Sequence, residues 1–467
     1  MNSRLFTDRE GDDGLPGRER RLAVLALVLG TSMAVIDTTM VNVALPSIAD
    51  DLQVTGSQVV WVTNLFQVVC AAFLLVFAAL SELLSRRRLY TFGMALFSLA
   101  AVGAALSTRL ESLLLFRALQ GLGAAATLSI GTSLYRSIFP TRLLGSALGL
   151  SSMVVAVGYA TGPAIGGLVL SVANWPWLFV LPAPLGVAAA WMSWRALPRE
   201  PRRQGNFDVF GALCAIATLA TFFAAMEALG DGALRLPVLL WLILAGLAFT
   251  LFLWRQRRAP HPLLHLALFS VPRFRLALAA QSLAFIGHGV AFVALSFMFQ
   301  QNMGLTPLQT AWLFTPWPLT VMFVGPLAGR LADRLNPALP ASAGLGLLLI
   351  GLVSLARLDA DAGMLEILWR MALCGTGFGL FQPPNNRELM GSIPRERSAN
   401  ASGTMSTTRT VGQSLGVALV GAFLAAGLPV QATLWLGSLS CLLALLVSLG
   451  RLPLGRRRTS TPAKQVQ

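Results

Sequence analysis

The run LAVLALVLGTSMAVIDTTMVNVAL, residues 22–45, contains one charged residue, Asp37. A helix needs about 20 mostly apolar residues to cross a bilayer, so this run predicts a membrane span. Lipid offers the backbone no hydrogen-bond partners, so we expect each such span to be helical. Fourteen runs of this kind are present, at residues 22–45, 57–80, 89–108, 111–134, 143–170, 175–194, 208–229, 235–254, 274–299, 308–328, 338–356, 365–386, 399–426 and 431–450.

The composition points to the same class of protein. Of 467 residues, 55% are hydrophobic and only 12% are charged, about half the charged share of an ordinary soluble domain. This excludes a soluble enzyme and a disordered chain, and it predicts an all-α polytopic membrane protein. The chain has no phosphate-binding Gly-Lys-Ser/Thr loop and no metal or nucleophile cluster. We therefore expect no enzymatic activity, no cofactor and no ATP-driven motor.

The basic residues predict how the spans are oriented. If the chain crosses fourteen times, 29 of its 35 Lys and Arg residues fall in the termini and alternate connections, and three fall in the opposite loops. Positive charge collects on the cytoplasmic side of membrane proteins, so we expect fourteen spans with both termini cytoplasmic. The net charge of +15 is spread over short clusters rather than one face, which argues against a nucleic-acid partner.

Two basic linkers that contain proline divide the chain. They isolate the seventh and eighth spans between two blocks of six, which suggests a duplicated bundle with an inserted helix pair. Transporters are often built from such repeats, with the binding site between the halves. The predicted organisation is a leader at 1–21, a six-helix bundle at 22–194, a linker at 195–207, the inserted pair at 208–254, a linker at 255–273, a second six-helix bundle at 274–450 and a tail at 451–467.

Polar residues within the spans are the candidates for function. Asp37 lies roughly 22 Å along its helix, where a carboxylate costs about 2.5–3.5 kcal/mol, so a role in proton exchange is the first interpretation. A structural hydrogen bond to a neighbouring helix is the alternative. Arg117 lies at a comparable depth in the fourth span, with Gln120 one turn further on; it either faces such a carboxylate or binds backbone carbonyls. Glu227, His288 and Arg409 are further candidates for an ion pathway or cavity, each with a structural alternative.

The fifth span combines closely spaced glycines with a proline. Glycines four residues apart allow two helices to approach closely, and proline bends a helix. This pattern predicts a flexing seam between helices, although ordinary small-residue packing would give a similar pattern. The residues are Gly158, Gly162, Pro163, Gly166 and Gly167.

These motifs resemble the major facilitator superfamily, specifically its fourteen-helix drug:proton antiporter branch. The resemblance covers about residues 20–451. It rests on DTTMVNVALP at 37–46, on Arg117 with Gln120, Gly121 and Gly123, on the antiporter motif at 158–167, and on the loop motif at 329–334. The first-half copy of that loop motif departs from the family pattern. It keeps Glu82, Arg87 and Arg88, but Ala78 and Ser85 stand where the family has glycine.

The resemblance implies the major facilitator fold and export of hydrophobic, often cationic compounds in exchange for protons, by alternating access. Proton coupling would involve Asp37, Arg117 and Glu227. The substrate cavity would include Asn42, Gln120, His288 and Arg409, and Arg409 weighs against a strong preference for cations. The cytoplasmic gate would comprise Glu82, Arg87, Arg88, Gly329, Asp333 and Arg334.

The expected partners are the lipid bilayer, protons and a small hydrophobic or cationic substrate. One chain carries a full pair of bundles, so a monomer suffices. The composition suggests a bacterial inner membrane. A dedicated exporter of one metabolite or self-made antibiotic remains an alternative, because the same Asp37–Arg117 chemistry serves both. A scaffold or sensor would need a sizeable soluble domain, whereas the segments between spans reach only about 20 residues.

Overall fold

A computed structural model describes residues 14–140, 143–198, 207–230, 235–260, 262–359, 362–393 and 398–453. Most of the predicted leader, the 195–207 linker and the C-terminal tail lie outside these ranges. The side chains of Glu82, Glu227 and Asp333 also lie outside the described part, although the three residues belong to helices.

The described residues form an array of α-helices. We number them α1 to α18 in chain order, with a short 3-10 turn at Leu266–Ser270 and a π turn at Met298–Asn302. The helices are α1 Gly17–Leu52, α2 Gly56–Val59, α3 Trp61–Leu83, α4 Arg86–Ala105, α5 Leu110–Leu128, α6 Gly131–Ile138, α7 Leu144–Val172, α8 Trp177–Val180, α9 Pro182–Ala196, α10 Val209–Gly230, α11 Arg235–Arg258, α12 Pro272–Phe297, α13 Pro307–Phe314, α14 Pro316–Arg334, α15 Ala338–Ala356, α16 Met364–Gly391, α17 Ser398–Ala425 and α18 Val430–Leu449.

Every predicted span falls on one helix or on two consecutive helices. Twelve helical segments in the described part are long and apolar enough to cross a membrane. The fourth and thirteenth predicted spans, on α5 with α6 and on α17, do not meet that criterion. Both carry arginine within the helix, Arg117 and Arg409. The all-α polytopic class is thus confirmed. The count of fourteen crossings and the side on which the termini lie remain predictions.

Several helix ends differ from the sequence-based limits. The predicted first span, 22–45, is the middle of a helix that begins at Gly17 and continues past Pro46 to Leu52. Its start is stabilised by Arg20, which is buried and donates from Nε and Nη2 to the carbonyl oxygen of Leu15. The fourth span is interrupted between α5 and α6, and the tenth is divided into α13 and α14.

Apart from the contact between α10 and α11, the most extensive helix contacts lie within two groups, which we call the N-terminal half (α1–α9) and the C-terminal half (α12–α18). In the first, α1 packs on α7 and α9, and α5 packs on α3 and α4. In the second, α12 packs on α17 and α18, and α16 packs on α14 and α15. The halves meet where α3 contacts α17 and where α7 contacts α13 and α14.

We call the end of the array where α1 ends and α3 begins the distal end, and the opposite end the proximal end. Two hydrogen bonds join the halves toward the distal end. Gln300 Nε2 donates to the carbonyl oxygen of Val43 at 2.8 Å, and Ser414 Oγ donates to Asn64 Oδ1 at 2.5 Å. Near the proximal end of α14, Gly329 has no described neighbour within 4 Å of an added Cβ. The halves are therefore closed against each other distally.

The α10–α11 pair packs on the side of this array. Near its start α10 contacts α3 through a cluster that includes Val76 and Ala212. Near its end, Phe223 of α10 packs between Val68 of α3 and Ala418 of α17. The helix α11 packs mainly on α10 and leaves most of its apolar surface uncovered. The pair therefore covers the seam between α3 and α17 at the distal end.

Candidate functional site

A buried charge cluster joins α1 and α5. Arg117 Nη1 donates to Asp37 Oδ2 at 2.7 Å and to Gln120 Oε1 at 2.9 Å. Gln120 Nε2 donates to Asp37 Oδ1 at 3.4 Å, so each side chain contacts the other two. All three are fully buried. Both charges are desolvated, so each depends on the other for its stability, and a change in the charge of Asp37 would leave Arg117 uncompensated.

The surroundings of Arg117 hold it in one position. Its guanidinium lies 4.5 Å from the ring centroid of Phe66 and 5.6 Å from that of Phe179. Its Nε donates to the carbonyl oxygen of Val62 at 2.8 Å, while Nη2 has no hydrogen-bond partner among the described residues. The spare donor gives Arg117 a second direction in which to bind when its contact with Asp37 is lost.

Three consecutive residues of α3 contact three different helices. The carbonyl of Val62 accepts from Arg117 of α5. The hydroxyl of Thr63 donates to Asn42 Oδ1 of α1 at 3.0 Å. The amide oxygen of Asn64 accepts from Ser414 of α17. The segment 62–64, which we call the α3 junction, therefore connects the charge cluster to the contact between the two halves.

The glycines of α7 lie against α1, as the spacing predicts. A Cβ on Gly158 would lie 2.9 Å from Val35 Cγ1, and one on Gly166 would lie 3.0 Å from the carbonyl oxygen of Met40. Between them, a Cβ on Gly162 would collide with the Oγ1 of Thr39. The two helices are in contact over two turns, and Pro163 lies inside α7 at this level. The functional meaning of this close contact remains a prediction.

Gly167, the last residue of the motif, faces the other half. A Cβ there would lie 2.5 Å from the Cβ of Ala311 and 2.9 Å from the carbonyl oxygen of Pro307, both in α13. The α7 motif thus packs against α1 with one face and against the C-terminal half with another.

A separate cavity of about 80 Å³ lies between α7 and the C-terminal half. A single water molecule needs about 10–15 Å³ of cavity volume, so this cavity is large enough for several water molecules. Aromatic side chains dominate its wall, with three polar groups among them. Its lining consists of Val155, Tyr159, Phe285, His288, Phe292, Trp317, Pro318, Val321, Phe378, Gln382 and Arg409.

His288 lies in an aromatic shell. Its ring stacks on Phe292 with centroids 4.5 Å apart and lies 5.0 Å from Phe378. Three more rings lie within 6.0 Å, those of Tyr159, Phe285 and Trp317. His288 Nδ1 and Trp317 Nε1 are buried and have no hydrogen-bond partner among the described residues. Both residues line the cavity, so its wall includes two side chains with a buried polar atom that the described protein leaves unsatisfied.

The structure separates the predicted cavity residues into two groups. His288 and Arg409 line this cavity, and its identity with the predicted substrate cavity remains a prediction. Asn42 and Gln120 are not among its lining residues. Asn42 instead accepts a hydrogen bond from Thr63, and the hydrogen bonds of Gln120 lie within the charge cluster. The side chain of Glu227, predicted to take part in proton coupling, lies outside the described part of the chain.

The predicted gate residues are only partly described. Arg87 is buried, and its guanidinium lies 4.6 Å from the ring centroid of Trp194 in α9. Arg88 and Arg334 are exposed, and Gly329 faces open space. The side chains of Glu82 and Asp333 lie outside the described residues. An assembled gate at the proximal end therefore remains a prediction.

Sequence reasoning missed a second buried ion pair. Arg451, predicted to begin the tail, is fully buried and donates from Nη1 to Glu388 Oε2 at 3.0 Å and to Asn385 Oδ1 at 2.7 Å. It also missed Asn64 and the rings of Tyr159, Phe292 and Phe378 around His288. A signal was available for Asn64, because Thr63, Asn64 and Gln67 are polar residues in the interior of a largely apolar span.

Comparisons with known proteins agree with this architecture. The sequence pattern of the Major Facilitator Superfamily matches residues 27–417. The chain belongs to this superfamily. It is 40% identical to the uncharacterized transporter YebQ of Escherichia coli K12, with 87% of this chain and 90% of that protein covered. It is 32% identical to the multidrug resistance protein Stp of Mycobacterium tuberculosis CDC 1551, with 88% and 77% covered.

A solved structure shows the same fold. It is a bacterial homolog of the human lysosomal transporter Spinster, crystallised in an inward-facing, unoccupied conformation. The TM-score is 0.67 at 17% sequence identity, and the match covers 93% of this chain and 98% of that one. Together with the superfamily match, this similarity identifies the chain as a multi-pass membrane transporter.

Proposed function

We propose that this chain is a proton-coupled antiporter that exports small hydrophobic compounds by alternating access, across a bacterial inner membrane with both termini in the cytoplasm. The observation that carries the proposal is the fully buried Asp37–Arg117–Gln120 cluster. Ionisable groups within a membrane domain are costly, and proton relays are among their recognised uses.

Protonation of Asp37 would remove the negative charge that Arg117 contacts. Arg117 would then depend on Gln120, on the carbonyl of Val62 and on its unsatisfied Nη2. Because Val62 begins the α3 junction, a shift of Arg117 acts on the same turn of helix that binds Ser414 of the C-terminal half. The proton site and the distal contact are then coupled through α3.

A dedicated exporter of one compound remains the alternative, since the charge cluster would serve it equally well. A panel of substrates separates the two. A multidrug exporter transports several chemically unrelated hydrophobic compounds, and a dedicated exporter transports one.

The test is transport in proteoliposomes with an acidic interior, which drives an antiporter to accumulate its substrate. The probes are tritiated tetraphenylphosphonium, a lipophilic cation, and tritiated 2-naphthoate, an aromatic anion, with protein-free liposomes as the leak control. We expect accumulation of at least one probe to require the pH gradient and to be lost in Asp37→Asn. The matched control is Asp50→Asn, because Asp50 is an exposed carboxylate on the same helix.

The Asp37→Asn protein should still exchange substrate across the membrane in the absence of a gradient, provided that it folds. Accumulation that does not depend on the pH gradient, or that persists unchanged in Asp37→Asn, would contradict the proposed coupling of transport to protons.

A further inference from the structure

The charges around the cavity indicate which substrates it accepts. Arg409 reaches it from α17, and its guanidinium lies 6.0 Å from the ring centroid of Phe285. None of the salt bridges of the described residues pairs Arg409 with a carboxylate. The lining residues include no Asp or Glu. The cavity therefore has a positive charge with no opposite charge in its wall.

One further group increases this asymmetry, and a second can donate or accept. Trp317 Nε1 is a hydrogen-bond donor only, and it is buried without a partner among the described residues. His288 Nδ1 is likewise buried and unsatisfied. A buried donor without a partner is costly, so a ligand that supplies an acceptor to Trp317 Nε1 recovers that cost.

The aromatic rings in the wall of the cavity place a second requirement on the ligand, in addition to its charge. His288, Phe292 and Phe314 form a stack in which successive ring centroids are 4.5 and 5.1 Å apart. Phe378 and Trp317 present their rings to the same histidine. Aromatic side chains favour offset-stacked and edge-to-face contacts with other rings. A flat aromatic ligand is the natural complement of such a surface.

The geometry points to a cavity selective for planar aromatic compounds that carry an anionic or strongly accepting oxygen group, such as a carboxylate or phenolate. The aromatic part packs among Phe285, Phe292 and Phe378, and the oxygen group accepts from Arg409 and Trp317. A planar guanidinium suits a carboxylate better than any other side chain does. A lipophilic cation would meet an uncompensated positive charge in a low-dielectric site. This inference rests on the proposed function, since it assumes that the cavity is the substrate site.

The test is equilibrium binding to purified protein in detergent, with three ligands of one shape: 2-naphthoate, 2-naphthamide and 2-naphthylmethylammonium. We expect 2-naphthoate to bind at least about tenfold more tightly than the ammonium compound, since a charge-assisted hydrogen bond contributes about 1.5–3 kcal/mol. Arg409→Gln should weaken 2-naphthoate binding by about tenfold and leave 2-naphthamide nearly unchanged. Arg409→Lys should retain part of the preference.

Trp317→Phe keeps the ring and removes the donor, so it provides a second variant if Arg409→Gln fails to fold. We expect it to weaken 2-naphthoate and 2-naphthamide by about three- to tenfold. The matched control is Arg357→Gln, because Arg357 lies over Trp435 and is not among the cavity residues.

Equal affinity for the three ligands, tighter binding of the ammonium compound, or unchanged 2-naphthoate binding in both cavity variants would overturn the inference. Binding is measured without a pH gradient, so it is independent of proton coupling. Failure of gradient-driven accumulation with the binding preference intact would reject the proposed antiport and leave the selectivity of the cavity standing.

Discussion

The amide oxygen of Asn64 in α3 accepts a hydrogen bond from the hydroxyl of Ser414 in α17, with 2.5 Å between the two atoms. Both residues are buried, and they belong to opposite halves of the molecule. This bond lies one residue beyond the Thr63–Asn42 bond and two residues beyond the carbonyl that holds Arg117. The contact between the halves and the charge cluster thus share one turn of helix.

Trapping this contact should stop transport. In a background without the four native cysteines, Asn64→Cys with Ser414→Cys should form a disulfide that keeps the distal end closed. We expect oxidation to reduce transport by at least about tenfold and dithiothreitol to restore it. Transport of labelled substrate in proteoliposomes, before and after reduction, checks this prediction.

The control pair is Thr91→Cys with Ser193→Cys. These hydroxyls are 2.8 Å apart and lie in α4 and α9, both within the N-terminal half. A disulfide there should leave transport nearly unchanged. If the Asn64–Ser414 crosslink forms and transport continues at the full rate, the distal contact does not need to open.

Asp37 and Arg117 should stabilise the fold as a pair. Removal of one partner of a buried ion pair costs about 3–5 kcal/mol, because the remaining charge stays buried and uncompensated. We therefore expect Asp37→Asn and Arg117→Gln each to lower the free energy of unfolding. The double variant should lose clearly less than the sum of the two single losses. Thermal or denaturant unfolding in detergent measures the three values, and strict additivity would show that the charges act independently.

Gly162 should tolerate no side chain while Thr39 is present. A Cβ at Gly162 would collide with Thr39 Oγ1, so Gly162→Ala should force α7 away from α1 and reduce both stability and transport. The matched control is Gly346→Ala in α15, where no described atom lies within 4 Å of the added Cβ. Adding Thr39→Ala to Gly162→Ala removes the closest atom and should restore part of the loss, because the Cβ of residue 39 remains 2.9 Å from the added Cβ. Melting temperature and initial transport rate are the two measurements.

The α10–α11 pair should contribute stability through Phe223. This ring is buried between the two halves, whereas Phe210 of the same helix is about half exposed. We expect Phe223→Ala to cost about 3 kcal/mol of unfolding free energy, and Phe210→Ala to cost much less. Equal losses in the two variants would mean that α10 stabilises the protein only through its general apolarity.

The features that the sequence predicted well are those that depend on position along one helix. The lengths of the apolar runs predicted where the helices lie, and the depths of Asp37 and Arg117 in their spans predicted that these charges could face each other. The spacing of Gly158, Gly162 and Gly166 predicted a close helix contact, which the structure places against α1.

The features that it missed depend on which helices are neighbours. No local pattern indicates that Ser414 faces Asn64, because 350 residues separate them. The aromatic shell of His288 combines rings from α7, α12, α14 and α16, which an apolar span does not distinguish from lipid-facing rings. Asn42 was assigned to the cavity through the family resemblance, and the sequence did not indicate the hydrogen bond that Thr63 of α3 donates to it.

The α3 junction limits the motion available to its helix. The side chains of Thr63 and Asn64 point about 100° apart around α3, and the backbone carbonyl of Val62 adds a third contact. A helix held in this way cannot rotate about its own axis without breaking all three bonds together. The helix can still tilt about residues 62–64. The end at Leu83, which lies farther from these residues than Trp61 does, would then move the most. A single residue inserted after Asn64 would turn the junction by about 100° relative to the rest of α3, so the three contacts and the packing of the segment toward Leu83 could not both be kept.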